Sequence, residues 1–509
     1  MTIILTLFLL QQTYALGTWP KYGATLENTH LQYMKGAMFS EPDVKWSYKT
    51  GDIVESYGAT VADADKDDTM EVVIGSWDNK IYCFNGTTGI IKWSYLSWGD
   101  VRTSSAIFDI DKDDTLEVVI GSDKVYCLNG GTGVVKWSYI IGSMVTSSPT
   151  IADIDKDDTM EVAIGSWDHK VYCLNGITGG IKWSYLTRGD ISSSAPAIAD
   201  IDKDSNMEVV IGSEDSTVYC LNGMTGVVKW SYTTESIVTS SPTIADVDKD
   251  DTLEAIIEGG KTYCLNGVTG VVKWSYPIGA LFSTSPAPAI ADVNNDDTME
   301  VVIGGWDDKV YCLNGITGEV RWSYTTGYGV HRGISIADID MDDKFEVFVP
   351  NLGNLSGAFL YCLNGESGLL LWKKQFLQDV HDITIADIDN DGCVELVVST
   401  LPGAIWALDD ISNSNNCGCM GTEEKSKELK VESFEFKVIK EKIYLSVPNT
   451  IEADIKLYDL CGRMKEVIYL GALGKGNYTF TPNIHKNGIY FVRLTTGNYK
   501  LTKKLILMK

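Results

Sequence analysis

An acidic stretch of the form Asp-x-Asp-x-Asp-Asp-x-x-Glu recurs eight times along this chain in closely similar copies. Its first Asp falls at Asp63, Asp109, Asp153, Asp200, Asp246, Asp292, Asp338 and Asp387, a spacing of 44 to 49 residues. A tryptophan strand, Lys-Trp-Ser-Tyr in most copies, recurs in step at Trp46, Trp93, Trp137, Trp183, Trp230, Trp274, Trp322 and Trp372. Between them lie short Val/Ile-rich runs bounded by Gly or Asn-Gly, which favour strands over helices. In the third copy they predict strand A over Pro149 to Ile154, B over Glu161 to Ser166, C over Lys170 to Asn175 and D over Gly180 to Tyr185. Strand B is apolar almost throughout, as a sheet covered on both faces requires. Four short strands per unit of this length predict a β-propeller.

The repeat is out of phase with the chain ends, and that sets the blade count. The last copy has strands A (Ile383 to Asp387), B (Glu395 to Ser399) and C (Ala404 to Leu408) but no tryptophan strand. Ahead of the first acidic loop stands a tryptophan strand without a blade, Val44 to Tyr48. Pairing the two gives an all-β, eight-bladed propeller closed by an N-terminal strand, with no exposed sheet edge at the seam. The expected layout is a signal peptide over residues 1–15, an N-terminal segment over 16–42, the propeller over 43–410 and a polar linker over 411–429. A small C-terminal β-sandwich is expected over 430–509. The apolar run Ile3 to Leu10, followed by Tyr14-Ala15, is the signal candidate; it is too short to span a bilayer, and no transmembrane segment is expected elsewhere.

The chain has 509 residues and a net charge of −27, which argues against nucleic acid or an anionic membrane as partner. Much of the acid lies in the repeated loops. Numbering the first loop from Asp63, carboxylates stand at positions 1, 3, 5 and 9, the alternation with which a tight loop wraps oxygen donors around a hard cation. Position 12, Ile74, falls in a strand, so the loop is not an EF-hand. Carboxylates without His or Cys favour Ca²⁺ over zinc or copper. Up to eight calcium ions are expected, held by Asp63, Asp65, Asp67 and Glu71; Asp109, Asp111, Asp113 and Glu117; Asp153, Asp155, Asp157 and Glu161; Asp200, Asp202, Asp204 and Glu208; Asp246, Asp248, Asp250 and Glu254; Asp292, Asn294, Asp296 and Glu300; Asp338, Asp340, Asp342 and Glu346; and Asp387, Asp389, Asp391 and Glu395.

Of eleven cysteines, seven repeat at one place in strand C: Cys83, Cys127, Cys173, Cys220, Cys264, Cys312 and Cys362. Packed sheets lie about 10 Å apart, beyond disulfide reach, so these are expected as buried free thiols. Cys417 and Cys419 fall in the linker, read as a flexible tether.

The loop and the Val-Val-Ile-Gly strand after it resemble the FG-GAP repeats of integrin-like propellers. The resemblance is greatest in Asp387-Ile388-Asp389-Asn390-Asp391-Gly392-Cys393-Val394-Glu395. Elsewhere position 6 departs from that family's Gly, with Asp68, Asp114, Asp158, Ser205, Asp251, Asp297 and Asp343; Asp tolerates left-handed backbone better than most residues. The other half of each repeat, Tyr-Cys-Leu-Asn-Gly-x-Thr-Gly-x-x-x-Trp as in Tyr172 to Trp183, resembles the tryptophan-docking motif of pyrroloquinoline-quinone (PQQ) enzymes and their non-catalytic relatives. The adjacent-cysteine pair common in the quinone alcohol dehydrogenases is missing, so PQQ is not expected. Near the chain end, Leu457 to Arg463, Gly488 to Leu494 and Lys500 to Lys509 resemble the type IX secretion C-terminal sorting domain. That resemblance implies export through outer-membrane secretion machinery and a secreted or surface location.

In a four-stranded antiparallel blade the A–B and C–D loops share one face, leaving the D–A and B–C loops for a partner. Most D–A loops end in Thr-Ser-Ser-Pro-like stretches (Thr146 to Pro149, Thr239 to Pro242). The exceptions are Glu55 with Tyr57, Arg102, His331 with Arg332, and His381 with Asp382, on blades 1, 2, 7 and 8. This charged arc, with B–C turn residues Trp77, Trp167 and Trp306, is the candidate ligand site. The sequence therefore reads as a binding or adhesion module for an extracellular protein or polysaccharide, with no catalytic residue assigned. The alternatives are a polysaccharide lyase using His331, Arg332 and His381, and, third, a PQQ-dependent dehydrogenase.

Overall fold

The structure is a computed structural model. It describes residues 24–25, 28–36, 38, 40–54, 58–277, 287–330, 333–353 and 357–409, and further on 435–439, 442–447, 451–458, 464–482, 488–496 and 499–507. The signal, the linker, Cys417, Cys419, Glu55, Tyr57, His331 and Arg332 lie outside the described residues. The chain divides into two compact units, Met1–Cys417 and Gly418–Lys509.

The first unit is an eight-bladed propeller. Blade 3 has strands Thr150–Ala152, Glu161–Ser166, Lys170–Asn175 and Ile181–Leu186, paired antiparallel in that order. Strand A is shorter than the sequence predicts, because Pro149 has no N–H to give and the acidic loop opens at Asp153. Strand D starts one residue late, after a register shift opposite Cys173 and Leu174 that recurs in most blades. Strand B is buried from end to end, its two faces covered by the neighbouring blades.

Two devices join consecutive blades. The first is on the inner strands, where a hydroxyl reaches the backbone of the next blade. Thr150 Oγ1 donates to Pro196 O (2.7 Å), Thr243 Oγ1 to Pro288 O (2.7 Å), and Thr384 Oγ1 of blade 8 to Ala59 O of blade 1 (2.8 Å). The second is the tryptophan. Trp183 Nε1 donates to Gly223 O and its ring lies against Gly226, whose φ of +68° and contact leave no room for a Cβ. The same pair of contacts holds Trp93 to Gly130 and Gly133, and Trp274 to Gly315 and Gly318.

Blade 8 closes as the phase of the repeat requires. Asp43–Lys49 pairs antiparallel with Ala404–Asp409, Trp46 opposite Ala407, and completes the sheet with Glu395–Thr400 and Val380–Ala386. Trp46 then docks on blade 1 through Gly86 O and Gly89. The sequence gives no sign of a further feature, a strap just before this strand. Leu31–Gln32 pairs in parallel with the inner strand Ser335–Ala337 of blade 7. Asn28 Nδ2 donates to Pro242 O, Ile290 N to Thr29 O and Gln32 Nε2 to Ile385 O, so the strap crosses the inner strands of blades 5 to 8.

The second unit has a three-stranded sheet (Glu435–Ile439, Lys442–Val447, Gly476–Phe480) and a four-stranded one (Met464–Leu473, Ile451–Tyr458, Gly488–Thr496, Tyr499–Leu507). Ile443 and Leu445 from the first meet Ile455, Leu457, Val492 and Leu494 from the second in one core, the expected small sandwich.

Candidate metal centres and the opposite face

The acidic loops share two bonds, the position 6 amide to position 1 Oδ2 and a backbone amide to the loop glutamate. The position 5 amide goes to position 3 rather than position 1 in blades 4 and 7. In blade 1, Asp63 accepts the amides of Asp67 (3.0 Å) and Asp68 (3.2 Å), and Asp67 accepts the amide of Thr69 (2.9 Å). Glu71, fully buried at the start of strand B, accepts the amide of Ala64 on Oε2 (2.8 Å). Positions 4 and 6 are left-handed: Lys66 has φ +56° and Asp68 φ +66°, while position 6 of blade 8 is Gly392 at +89°. Aspartate thus takes the conformation that glycine takes in blade 8, through its local hydrogen bonding. Carboxylate oxygens of Asp63, Asp65 and Glu71 lie within 4.8 Å of one another, as do those of Asp109, Asp111 and Glu117, Asp153, Asp155 and Glu161, Asp200, Asp202 and Glu208, and Asp246, Asp248 and Glu254. These clusters suit a divalent, oxygen-liganded cation such as calcium.

Sequence reasoning missed what stands beside them. In blades 1 to 6 the residue before the D-strand tryptophan reaches across strand C into the loop. Lys92 Nζ lies 2.7 Å from Asp65, 3.0 Å from Asp67 and 2.9 Å from Glu71 Oε1. Lys136 and Lys182 repeat the arrangement in blades 2 and 3, with 2.6 and 2.8 Å to Glu117 and Glu161. Lys229 and Lys273 do so at 2.9 Å from Glu208 and Glu254, and Arg321 at 2.9 Å from Glu300. The signal was visible: a basic residue precedes Trp in every repeat but one, where Leu371 precedes Trp372. Burial still dominates, and raises the Glu71, Glu208 and Glu300 carboxyls to about 7. In blade 7, without the lysine, burial and the carboxylates of Asp340 and Asp338 push Glu346 to about 9.

The seven strand-C cysteines are buried and free, as expected, and burial holds their thiols well above the usual range. Cys393, outside that series, is disulfide-bonded.

On the opposite face the charged arc takes a different form from the one expected. Arg102 stacks on Trp77, 3.9 Å from its ring, and bonds Asp100 at 2.9 Å. His381 and Asp382 are 5 % and 4 % exposed, on the inner strand of blade 8 rather than in the D–A loop. A Cβ on Gly333 would meet Asp382 Oδ1 at 3.1 Å and His30 of the strap at 3.4 Å, so the strap packs over this sector. Trp77, Trp167 and Trp306 are half-buried rather than exposed. Their turns are tied down: Tyr172 donates to Asp168, and His169 Nδ1 lies 2.8 Å from Asp190. The most exposed aromatic among the described residues is Trp98, 84 % exposed in the loop between blades 1 and 2. It stands where blade 3 has Arg188, a difference readable in the repeat alignment.

Three protein families match parts of the chain. Outer membrane protein assembly factor BamB matches residues 77–199 and 157–300, KICSTOR complex protein kaptin 314–417, and the secretion system C-terminal sorting domain 439–508. A comparison with curated proteins returns no match. Among solved structures, BamB from Moraxella catarrhalis is 19 % identical with a TM-score of 0.52, covering 72 % of this chain and 97 % of that one. A quinohemoprotein alcohol dehydrogenase from Pseudomonas putida HK5 is 13 % identical with a TM-score of 0.60, covering 80 % and 82 %. A europium-containing methanol dehydrogenase is 13 % identical with a TM-score of 0.56, covering 79 % and 100 %. At these identities the likeness establishes the fold alone. The chain is an eight-bladed propeller of the PQQ/BamB-like kind joined to a secretion sorting domain. That domain implies contact with outer-membrane secretion machinery and gives the protein a secreted or cell-surface location. No helix among the described residues is long and apolar enough to cross a membrane.

Proposed function

We propose that this is a calcium-stabilised propeller, with FG-GAP-like loops, that serves outside the cell as a non-catalytic binding or adhesion module for a protein or polysaccharide. The observation that carries this reading is the strap. It lies across the inner strands of blades 5 to 8, with His30 beside Gly333 and Asp382, and this supports a binding role over a reaction at that sector. Recognition then falls to the loops facing away from the acidic corners, where Trp98 offers a ring to stack on a sugar or to enter a protein pocket. The test is an array of glycans and extracellular proteins probed with the full chain, repeated with Trp98→Ala. A ligand captured by the parent and lost in the variant supports the reading. Unsaturated product released from acidic polysaccharide, and lost in His381→Ala, would replace it with a lyase.

A further inference from the structure

The Oε1 atom of the loop glutamate sets blades 7 and 8 apart from the other six. In blades 1 to 6 the loop glutamate turns Oε2 to a backbone amide and Oε1 to the basic residue before the tryptophan. In blade 7 that residue is Leu371, and Glu346 Oε1 has no partner among the described residues although the side chain is 0 % exposed. In blade 8 it is Lys45, which turns to Asp389 and Asp409 (3.0 Å) and leaves Glu395 Oε1 equally buried and unpartnered. The Oε2 atoms of both residues still bind their loop amides, at 2.9 Å from Ile339 N and 2.7 Å from Ile388 N. The loops are therefore folded alike, and the atom that holds a cation in six blades holds none in two.

Blade 7 does receive a lysine, but from the strap and on the other side of the loop. Lys35 bonds Asp338 Oδ2 (2.6 Å) and Asp343, positions 1 and 6, leaving Asp338 Oδ1 buried and without a partner among the described residues, as Asp200 Oδ1 and Asp246 Oδ1 are in blades 4 and 5. A buried carboxylate oxygen without a partner is costly, and a divalent ion with several oxygen ligands removes that cost.

We propose that calcium occupancy is divided: the loops of blades 7 and 8 are the tight divalent sites, and in blades 1 to 6 a lysine ammonium or the Arg321 guanidinium already sits where the ion would. There, calcium has to displace a tethered cation held by three or, for Arg321, two carboxylates, and uptake is weak. This inference rests on reading the loops as cation sites, and goes beyond it by assigning which of them fill.

Calorimetric titration of the chelator-stripped full chain with CaCl₂ tests it. The parent should take up two tight equivalents. Leu371→Lys should lose one; the position is 47 % exposed, so the longer side chain is tolerated, and Leu371→Gln should keep both. Lys92→Met should gain one, with Lys136→Met as a second reading should the first variant not fold. Uptake into six or more equivalent sites, or counts unmoved in both Leu371→Lys and the lysine-to-methionine variants, overturns the division and leaves the cation reading standing. No uptake by any variant overturns both.

Discussion

In blades 1 to 6 the loop and the tryptophan are served by the repeats alone: the acidic loop, the basic residue of its own D strand, and the Asn-Gly turn of the next blade to dock the tryptophan. Blades 7 and 8 are finished by the N-terminal chain instead. Lys35 bonds the blade 7 loop, Val394 N donates to Lys35 O in blade 8, and Asp43–Lys49 is blade 8's outer strand. Trp372 of blade 7 faces a blade whose strand C ends in Asp409 where the others have Asn, and its Nε1 has no acceptor among the described residues. The difference teaches that ring closure and loop chemistry are coupled. The blades that borrow a segment to close are the ones whose loop glutamate keeps a buried Oε1 without a partner among the described residues.

The largest expected effect comes from removing the borrowed segment. Deleting the chain before Thr50 takes away strap, Lys45 and Trp46, and uncovers the edge of Ala404–Asp409 with apolar area worth about 25 cal/mol per Å². Soluble yield and thermal melting should both fall sharply; a truncated chain as soluble and stable as the parent would break the comparison. Next come the tryptophans. Trp183→Ala should destabilise by about 3–5 kcal/mol, and Trp372→Ala by about 1 kcal/mol less, since Trp372 Nε1 has no hydrogen bond to lose among the described residues. Denaturant unfolding of the two variants measures the gap, and equal losses would show that docking to glycine contributes little.

A smaller effect is expected with pH in calcium-free protein. Glu346 binds its proton up to about 9 when folded against an ordinary 4.5, so the folded chain holds a proton that the unfolded chain releases. Stability therefore falls as pH rises from about 4.5 through 9, and the slope should flatten once calcium gives the carboxylate a partner. Glu71, raised only to about 7, confines its share to the lower half of that window. Melting temperatures across pH, with and without calcium, read this directly; stability rising over the window in chelator would contradict it. Smallest is Trp98→Ala, which at an exposed site should change stability by within about 0.5 kcal/mol while altering ligand capture.

Period and phase carried most of the fold, because each blade is one local unit and the odd tryptophan strand had a single place to go. Trp46 opposite Ala407 shows how far that reached. The loop geometry was equally legible, down to Asp68 replacing a glycine at positive φ. What the sequence did not reveal were contacts between distant segments that carry no period: the parallel pairing of Leu31–Gln32, the burial of His381 and Asp382, and the aim of the D-strand lysines. The last had a sequence signature in Leu371, but lysine on an exposed strand ordinarily reads as a solvated face, and only the distance to Glu71 Oε1 shows otherwise.

The most direct measurement of the account is anomalous diffraction at a wavelength sensitive to calcium, from crystals of the full chain grown with the ion at physiological concentration. Two peaks are expected, one among Asp338, Asp340, Asp342 and Glu346 and one among Asp387, Asp389, Asp391 and Glu395, with the D-strand basic residues still in place in the other six loops. Eight peaks of equal height, with those residues swung out to solvent, would contradict it.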